Sequence, residues 1–196
     1  MAYRFFPQSE FVPMPWKNGG GITREIVRVP GDGEDWLWRL SIAEIAADGP
    51  FSAFPGCERS LTLLEGAGMV LQFADRSCDL RPPFAACRFA GEETPDCVLF
   101  DGPTVDFNAI WRRDAVSIHV ERRAMHGSLW CLPEPGVSWF VLLLSGSLAL
   151  KDQEHAPQIS VGDGLWLQPE ANAPRLMLEG FGEALWLKIM QRSSLS

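Results

Sequence analysis

Lys17 and Asn18 stand immediately before three consecutive glycines, Gly19-Gly20-Gly21, and Thr23 and Glu25 follow at a spacing of two. Residues without Cβ let the backbone bend tightly or lie close against another surface. A spacing of two is the strand period, so Thr23 and Glu25 share one face. By the same rule Arg39 and Ser41 share a face with small Ala43, while Ser52 and Arg59 lie in and just after a loop rich in proline and glycine. A cation, an amide and backbone N–H groups gathered in this way suit recognition of a small anion, because an arginine grips a carboxylate through two parallel donors. The candidate ligand-binding set is Lys17, Asn18, Thr23, Glu25, Arg39, Ser41, Ser52 and Arg59. Two plainer arrangements compete: an internal bridge between Arg39 and Glu25, and a glycine run that is only a connector. Bridge and ligand site are compatible, since a paired guanidinium keeps donors to spare.

Other chemistries find less support. A transition-metal site in a small β-barrel usually takes two or three histidines and a glutamate, with an H-x-H pair on one strand. The chain has only His119, His126 and His155, none in H-x-H, and no histidine in its first half. Ser117, His119 and Glu121 do alternate onto one strand face, with His126 close behind, so a site of two histidines and a glutamate is geometrically conceivable there. The expectation is nevertheless a metal-free protein without a cofactor. No G-x-S-x-G elbow, P-loop or dinucleotide fingerprint occurs, and the glycine run precedes a strand rather than a helix. Five cysteines, odd in number and without C-x-x-C, encode neither a disulfide framework nor a zinc ribbon.

The elements that must position these residues read as strands. Residues 22–29 and 36–45 are two strands joined by the turn-former cluster Pro30-Gly31-Asp32-Gly33-Glu34-Asp35, and residues 49–59 form an irregular loop. Residues 60–73 follow as a hairpin around a glycine-rich turn, and 77–103 as short strands and loops. No stretch sustains a 3.6-residue apolar period beyond two turns. With 196 residues, 46% hydrophobic and 21% charged, the chain can bury a substantial core. Its net charge of −8 argues against nucleic acid and anionic lipid as partners. With no apolar signal core and no bilayer-length run, a cytoplasmic location is expected.

An internal repeat organises the whole. Ser41-Ile42 has its partner in Ser117-Ile118, Gly49 in Gly127, Pro55 in Pro133, and Leu63-Leu64-Glu65-Gly66 in Leu143-Leu144-Ser145-Gly146. Each half then reads strand, strand, Gly/Pro loop, hairpin, further strands. The expected fold is all-β: a bicupin, two jelly-roll-like β-barrels from an internal duplication, with domains at 1–113, which carries the motifs, and 114–196.

Trp16-Lys17-Asn18-Gly19-Gly20-Gly21-x-Thr23-x-Glu25-Ile26, Arg39-Leu40-Ser41-Ile42-Ala43, Gly49-Pro50-Phe51-Ser52-x-Phe54-Pro55-Gly56, Leu63-Leu64-Glu65-Gly66 and Asp106-Phe107-Asn108 followed by Arg112-Arg113 resemble the HutD/Ves family. The resemblance covers residues 16–113 in order and is weaker beyond. It implies a bicupin fold and an association with bacterial histidine utilisation, in which a member limits the pathway by sensing an intermediate such as N-formylglutamate or urocanate. It implies no catalytic activity. Ala109-Ile110 stand where the family pattern has Leu-Met, a change of packing more than of chemistry. The reading is a small-carboxylate-binding bicupin with a regulatory role. The alternatives are a metal-independent cupin enzyme, an isomerase or hydrolase on a small polar substrate, and a structural protein whose partner is another chain; a homodimer is a permitted assembly.

Overall fold

Alternation along Trp38-Arg39-Leu40-Ser41-Ile42 places one large apolar residue at every second position, and this is what a strand buried on one face requires. The structure, a computed structural model, describes residues 1–31, 35–81, 85–151, 153, 156–170 and 174–192. In chain order come β1 (Ala2–Phe6), a 3-10 turn (Gln8–Glu10), β2 (Val12–Pro15), β3 (Gly21–Val29), β4 (Trp38–Ile45), β5 (Gly49–Pro50), β6 (Cys57–Glu65), β7 (Met69–Gln72) and β8 (Ser77–Leu80). Then follow β9 (Ala86–Ala90), β10 (Asp96–Leu99), β11 (Thr104–Arg112), β12 (Val116–Cys131), β13 (Val137–Lys151), β14 (Gln158–Ile159), β15 (Gly164–Gln168) and β16 (Leu176–Gln191). The protein is all-β, as its sequence leads one to expect, although the 30–35 turn lies partly outside the described residues.

The chain divides into two compact units, Val12–Ala115 and Met1–Phe11 with Val116–Ser196. Residues 1–11 therefore depart from the expected 1–113 domain. The cause is edge pairing: β1 runs antiparallel to β15 from Ala2↔Gln168 to Phe6↔Gly164. Met1 and Phe6 are buried, the Met1 ammonium donates to the Pro174 carbonyl at 2.6 Å, and the Gln8 N–H donates to Asp163 Oδ1 at 2.9 Å.

Within residues 12–115 a six-stranded sheet, β2-β3-β4-β11-β6-β9, packs on a four-stranded one, β5-β10-β7-β8. Ile45, Leu61 and Leu63 of the larger sheet meet Met69, Leu71, Leu80 and Cys97 of the smaller. Each such large side chain removed from water contributes about 1.5–3 kcal/mol. The four-residue strands of the smaller sheet are short. The Arg39 and Arg59 end of the larger sheet is walled instead by segments 14–18 and 50–54.

The other unit is one six-stranded sheet, β1-β15-β13-β16-β12 with β14 on β13. Its long strands turn a corner at paired glycines: Gly146 lies opposite Gly182, and Gly127 opposite Gly180. Leu143 and Leu148, on either side of that corner, join one apolar cluster with Trp186 and Leu178, so the sheet folds back on its own core.

Most pairings of the two units correspond, while β2–β3, β3–β4 and β1–β15 have no counterpart. β12 takes the part of β4 plus β5, β13 of β6 plus β7, β14 of β8, β15 of β9, and β16 of β10 plus β11, and every pairing among the first set has its counterpart in the second. The repeat detected in the sequence marks equivalent corners, and one expectation about it is corrected. Gly66 does not close a hairpin, because β6 and β7 belong to different sheets; Gly146 lies inside a continuous β13. The glycines are corners, where the chain must pass close to another backbone, and a corner shares its residue types with a turn.

Candidate functional site

Trp16 and Gly21 hold the loop that joins β2 to β3. The Trp16 N–H donates to the Gly21 carbonyl at 3.0 Å, and its indole N–H donates to Thr23 Oγ1 at 2.8 Å. A Cβ at Gly21 would lie 2.5 Å from the Glu44 carbonyl oxygen and 3.2 Å from the Trp16 ring, so only glycine admits this packing. Asn18 turns inward on its own loop, its Oδ1 accepting from the Gly20 N–H at 3.0 Å. Lys17, at the tip, is exposed.

Register brings the strand residues together. Arg39, Ser41 and Ala43 of β4 lie opposite Ile110, Asn108 and Asp106 of β11, and those in turn lie opposite Arg59, Leu61 and Leu63 of β6. Paired residues point to the same face, so Arg39 and Arg59 stand on either side of Ile110, with backbones roughly 10 Å apart at two strand spacings. Between them opens a cavity of about 660 Å³. Seven of the eight residues singled out from the sequence line it: Lys17, Asn18, Thr23, Arg39, Ser41, Ser52 and Arg59. Glu25 does not; it stands behind Arg39, with Oε2 2.8 Å from the Arg39 Nε and Oε1 3.5 Å from Arg28. The Arg39 Nε–H is not aimed at that oxygen, so the contact is an ion pair rather than an aligned hydrogen bond. The internal bridge thus exists, and Arg39 lines the cavity as well.

Arg59 is held differently. Only 2% exposed, its guanidinium lies 5.0 Å from the Phe51 ring, 5.3 Å from Phe54 and 5.0 Å from Phe89, and Nη1 donates to the Ser52 carbonyl at 3.1 Å. Its Nε has no hydrogen-bond partner among the described residues, and none of their carboxylates is in ion-pair reach of it. Burial pushes its pKa down to about 10, and the more distant Asp106 charge offsets part of that. Burial likewise lowers Arg39, against the pull of Glu25.

Among the described residues three cations line the cavity and no carboxylate does. A model of the HutD family matches residues 8–186, which include this site and most of both units. The chain belongs to the HutD family. The family is associated with histidine utilisation. The structure of HutD from Pseudomonas fluorescens SBW25 is 31% identical, with a TM-score of 0.79 over 98% of this chain and 100% of that one. The conserved protein PA5104 of Pseudomonas aeruginosa PAO1 is 28% identical, with a TM-score of 0.82 over the same shares. The uncharacterized 21.2 kDa protein in the hutC 3′ region of Pseudomonas putida is 46% identical over 103 residues, 52% of this chain and 54% of that one, so the match spans about half of that relative.

Reading the sequence of this HutD chain for its site left out Asn108 and the ring wall of Trp16, Phe51 and Phe54, all of which line the cavity. It also left out Asp106, wholly buried beside them on β11. A usable sign existed: Thr104, Asp106 and Asn108 are polar at a period of two between Val105, Phe107 and Ala109. The aromatic wall had no such mark, since a loop phenylalanine reads as core. In the other unit, Ser117, His119 and Glu121 share a face of β12 opposite Met190, Lys188 and Trp186, and Glu121 lies 3.6 Å from Arg123. No group of three histidine, cysteine or acidic side chains gathers as a metal site among the described residues, and His155 lies outside them. No described helix is long and apolar enough to cross a membrane.

Proposed function

We propose that this HutD protein is a bicupin whose cavity binds a small carboxylate, and that it acts in histidine utilisation as a sensor that limits the pathway when an intermediate such as N-formylglutamate or urocanate accumulates. The observation that carries the reading is Arg59, a buried cation without an ion-pair partner among the described residues, at a cavity that adds Lys17 and Arg39 and no acid. An unpaired buried charge costs several kcal/mol, and an anionic ligand supplies the missing partner. The metal-independent enzyme is less well served, because proton transfer needs an acid or base within reach of the substrate, and among the described residues the cavity wall carries no carboxylate and no histidine. The matching strand pairings of the two units support the duplication.

Calorimetric titration with histidine-pathway acids, on the parent and on Arg39→Met, tests the proposal. The parent should bind at least one of them, and loss of a charge-assisted contact worth roughly 1.5–3 kcal/mol should weaken binding about ten- to a hundredfold. Glu25 keeps Arg28 as a neighbour, so the variant should fold. Unchanged affinity assigns Arg39 to the internal bridge alone, and no binding by the parent ends the carboxylate reading.

A further inference from the structure

Asp106 is fully buried on the inner face of β11, and neither of its carboxylate oxygens has a hydrogen-bond partner among the described residues. Two residues along the same face, the Asn108 Oδ1 is buried and equally without a donor. Three acceptors thus stand at and beside the cavity wall with no donor to accept from among the described residues. A carboxylate in such a place loses its hydration without replacement, whereas a protonated carboxyl carries less charge and brings a donor of its own.

The charged and titratable surroundings of Asp106 are few. Arg59 on β6 attracts its ionised form; Cys97 on β10 lies near enough for the Asp106 charge, together with that of Asp48, to act on the thiol. On β4 and β3 the Arg39–Glu25 pair stands beyond Ser41 and Ala43. Cys97 is pushed up to about 12 by burial and stays a neutral thiol, and residues 12–115 contain no histidine. Among the described residues Arg59 is therefore the one group that holds Asp106 near ionisation, and it is also the group an anion in the cavity would engage.

We propose that Asp106 couples ligand binding to proton uptake: a carboxylate that enters the cavity neutralises Arg59 and drives Asp106 into its protonated, uncharged form. This rests on the carboxylate reading above and adds to it that the site takes its anion together with a proton. Burial already raises the Asp106 carboxyl to about 7 in the empty protein, against the pull of Arg59. Once that pull is spent on the ligand, the value moves higher, so the proton is taken up at neutral and mildly alkaline pH. Affinity then falls as pH rises above 7, by up to tenfold per unit.

The test is titration calorimetry with N-formylglutamate and with acetate, whose groups do not titrate between pH 6 and 9. Each titration is run at pH 8 in two buffers of different ionisation enthalpy. The expected result is an apparent binding enthalpy that depends on the buffer, corresponding to uptake of about one proton. Asp106→Asn should then show no buffer dependence, and its affinity should be flat from pH 6 to 9, near the value the parent reaches at the acid end. Binding by the parent with no proton uptake at pH 8 overturns the coupling while the carboxylate site stands. Proton uptake that persists in Asp106→Asn overturns the assignment to Asp106. Binding of neither probe, nor of any pathway acid, removes the carboxylate reading and the coupling with it.

Discussion

Arg39 and Arg59 reach one cavity from strands on either side of β11, and the cost of holding each charge is met differently. Arg39 leans on Glu25, whereas Arg59 sits among three phenylalanine rings and a carbonyl. Ring quadrupoles and one carbonyl offset the desolvation of a guanidinium only in part. Arg59→Met should therefore leave the empty protein as stable as the parent or more so, because a flexible apolar chain of similar length keeps the phenylalanine contacts. Its affinity for the carboxylate should fall by about a hundredfold. Thermal unfolding with calorimetry checks both halves, and a large fall in Tm with affinity kept would show Arg59 to be a structural residue. Asp106 gives a second prediction, with the sign set by its raised pKa. The folded protein holds a proton on Asp106 up to about pH 7, whereas an unfolded chain releases it near the ordinary carboxyl value. The folded state thus binds more protons between those limits, and stability declines as pH rises through that window, by a total on the order of 4 kcal/mol. Asp106→Asn removes the titration, so it should be more stable than the parent at pH 8 and converge with it only below about pH 4 in denaturant melts. Parallel curves across that range would contradict the burial of an ionisable Asp106.

At the level of strands, the inner faces were readable because one residue type interrupts another at a fixed period. Arg39 and Ser41 stand out on β4 for this reason, and they and five others from the sequence-derived set reach the cavity wall. Corners resemble turns in a sequence because both demand glycine: Gly66 and Gly146 look alike, yet one separates strands of two sheets and the other bends a single strand. What distinguishes them is the long-range neighbour, which no local window contains. The sequence leaves two roles open for Glu25 for a similar reason, since the break in register between Glu25 and Val27 on β3 decides where its side chain falls. The corner in β13 and β16 can be tested directly. A Cβ at Gly182 would stand 1.8 Å from the Ser145 carbonyl oxygen, and its φ of 132° is one that side chains rarely adopt. Gly182→Ala should destabilise the protein by roughly 3 kcal/mol or more, combining backbone strain with a clash that no rotamer relieves. Equilibrium denaturation measures this, and a loss under about 1 kcal/mol would mean that the corner relaxes without its glycine.

For the molecule as a whole, the chain order and the spatial units do not coincide, and this separates stability from binding. The first eleven residues belong with Val116–Ser196, while the cavity is built within Val12–Ala115. Nothing local in Ala2–Phe6 announces its partner, because edge pairing to β15 spans more than 150 residues and is specified only by the distant strand. Deleting residues 1–6 should therefore strip β15 of one neighbour and withdraw two buried side chains, Met1 and Phe6, along with the ring contact of Phe6 on Phe140 at 5.9 Å. At about 1.5–3 kcal/mol for each large apolar side chain, the loss is roughly 3–6 kcal/mol, a large share of the stability of an ordinary domain. The freed β15 edge would also carry unpaired N–H and C=O groups, so the shortened protein should associate more readily at high concentration. Its carboxylate affinity at a temperature where it stays folded should match the parent's, because no residue lining the cavity has been removed. Denaturant melts followed at tryptophan, sedimentation and the same calorimetric titration separate these effects. Unchanged stability would show that β1 is dispensable to its unit, and a lost affinity in the folded, truncated protein would show that the cavity depends on the unit to which β1 belongs.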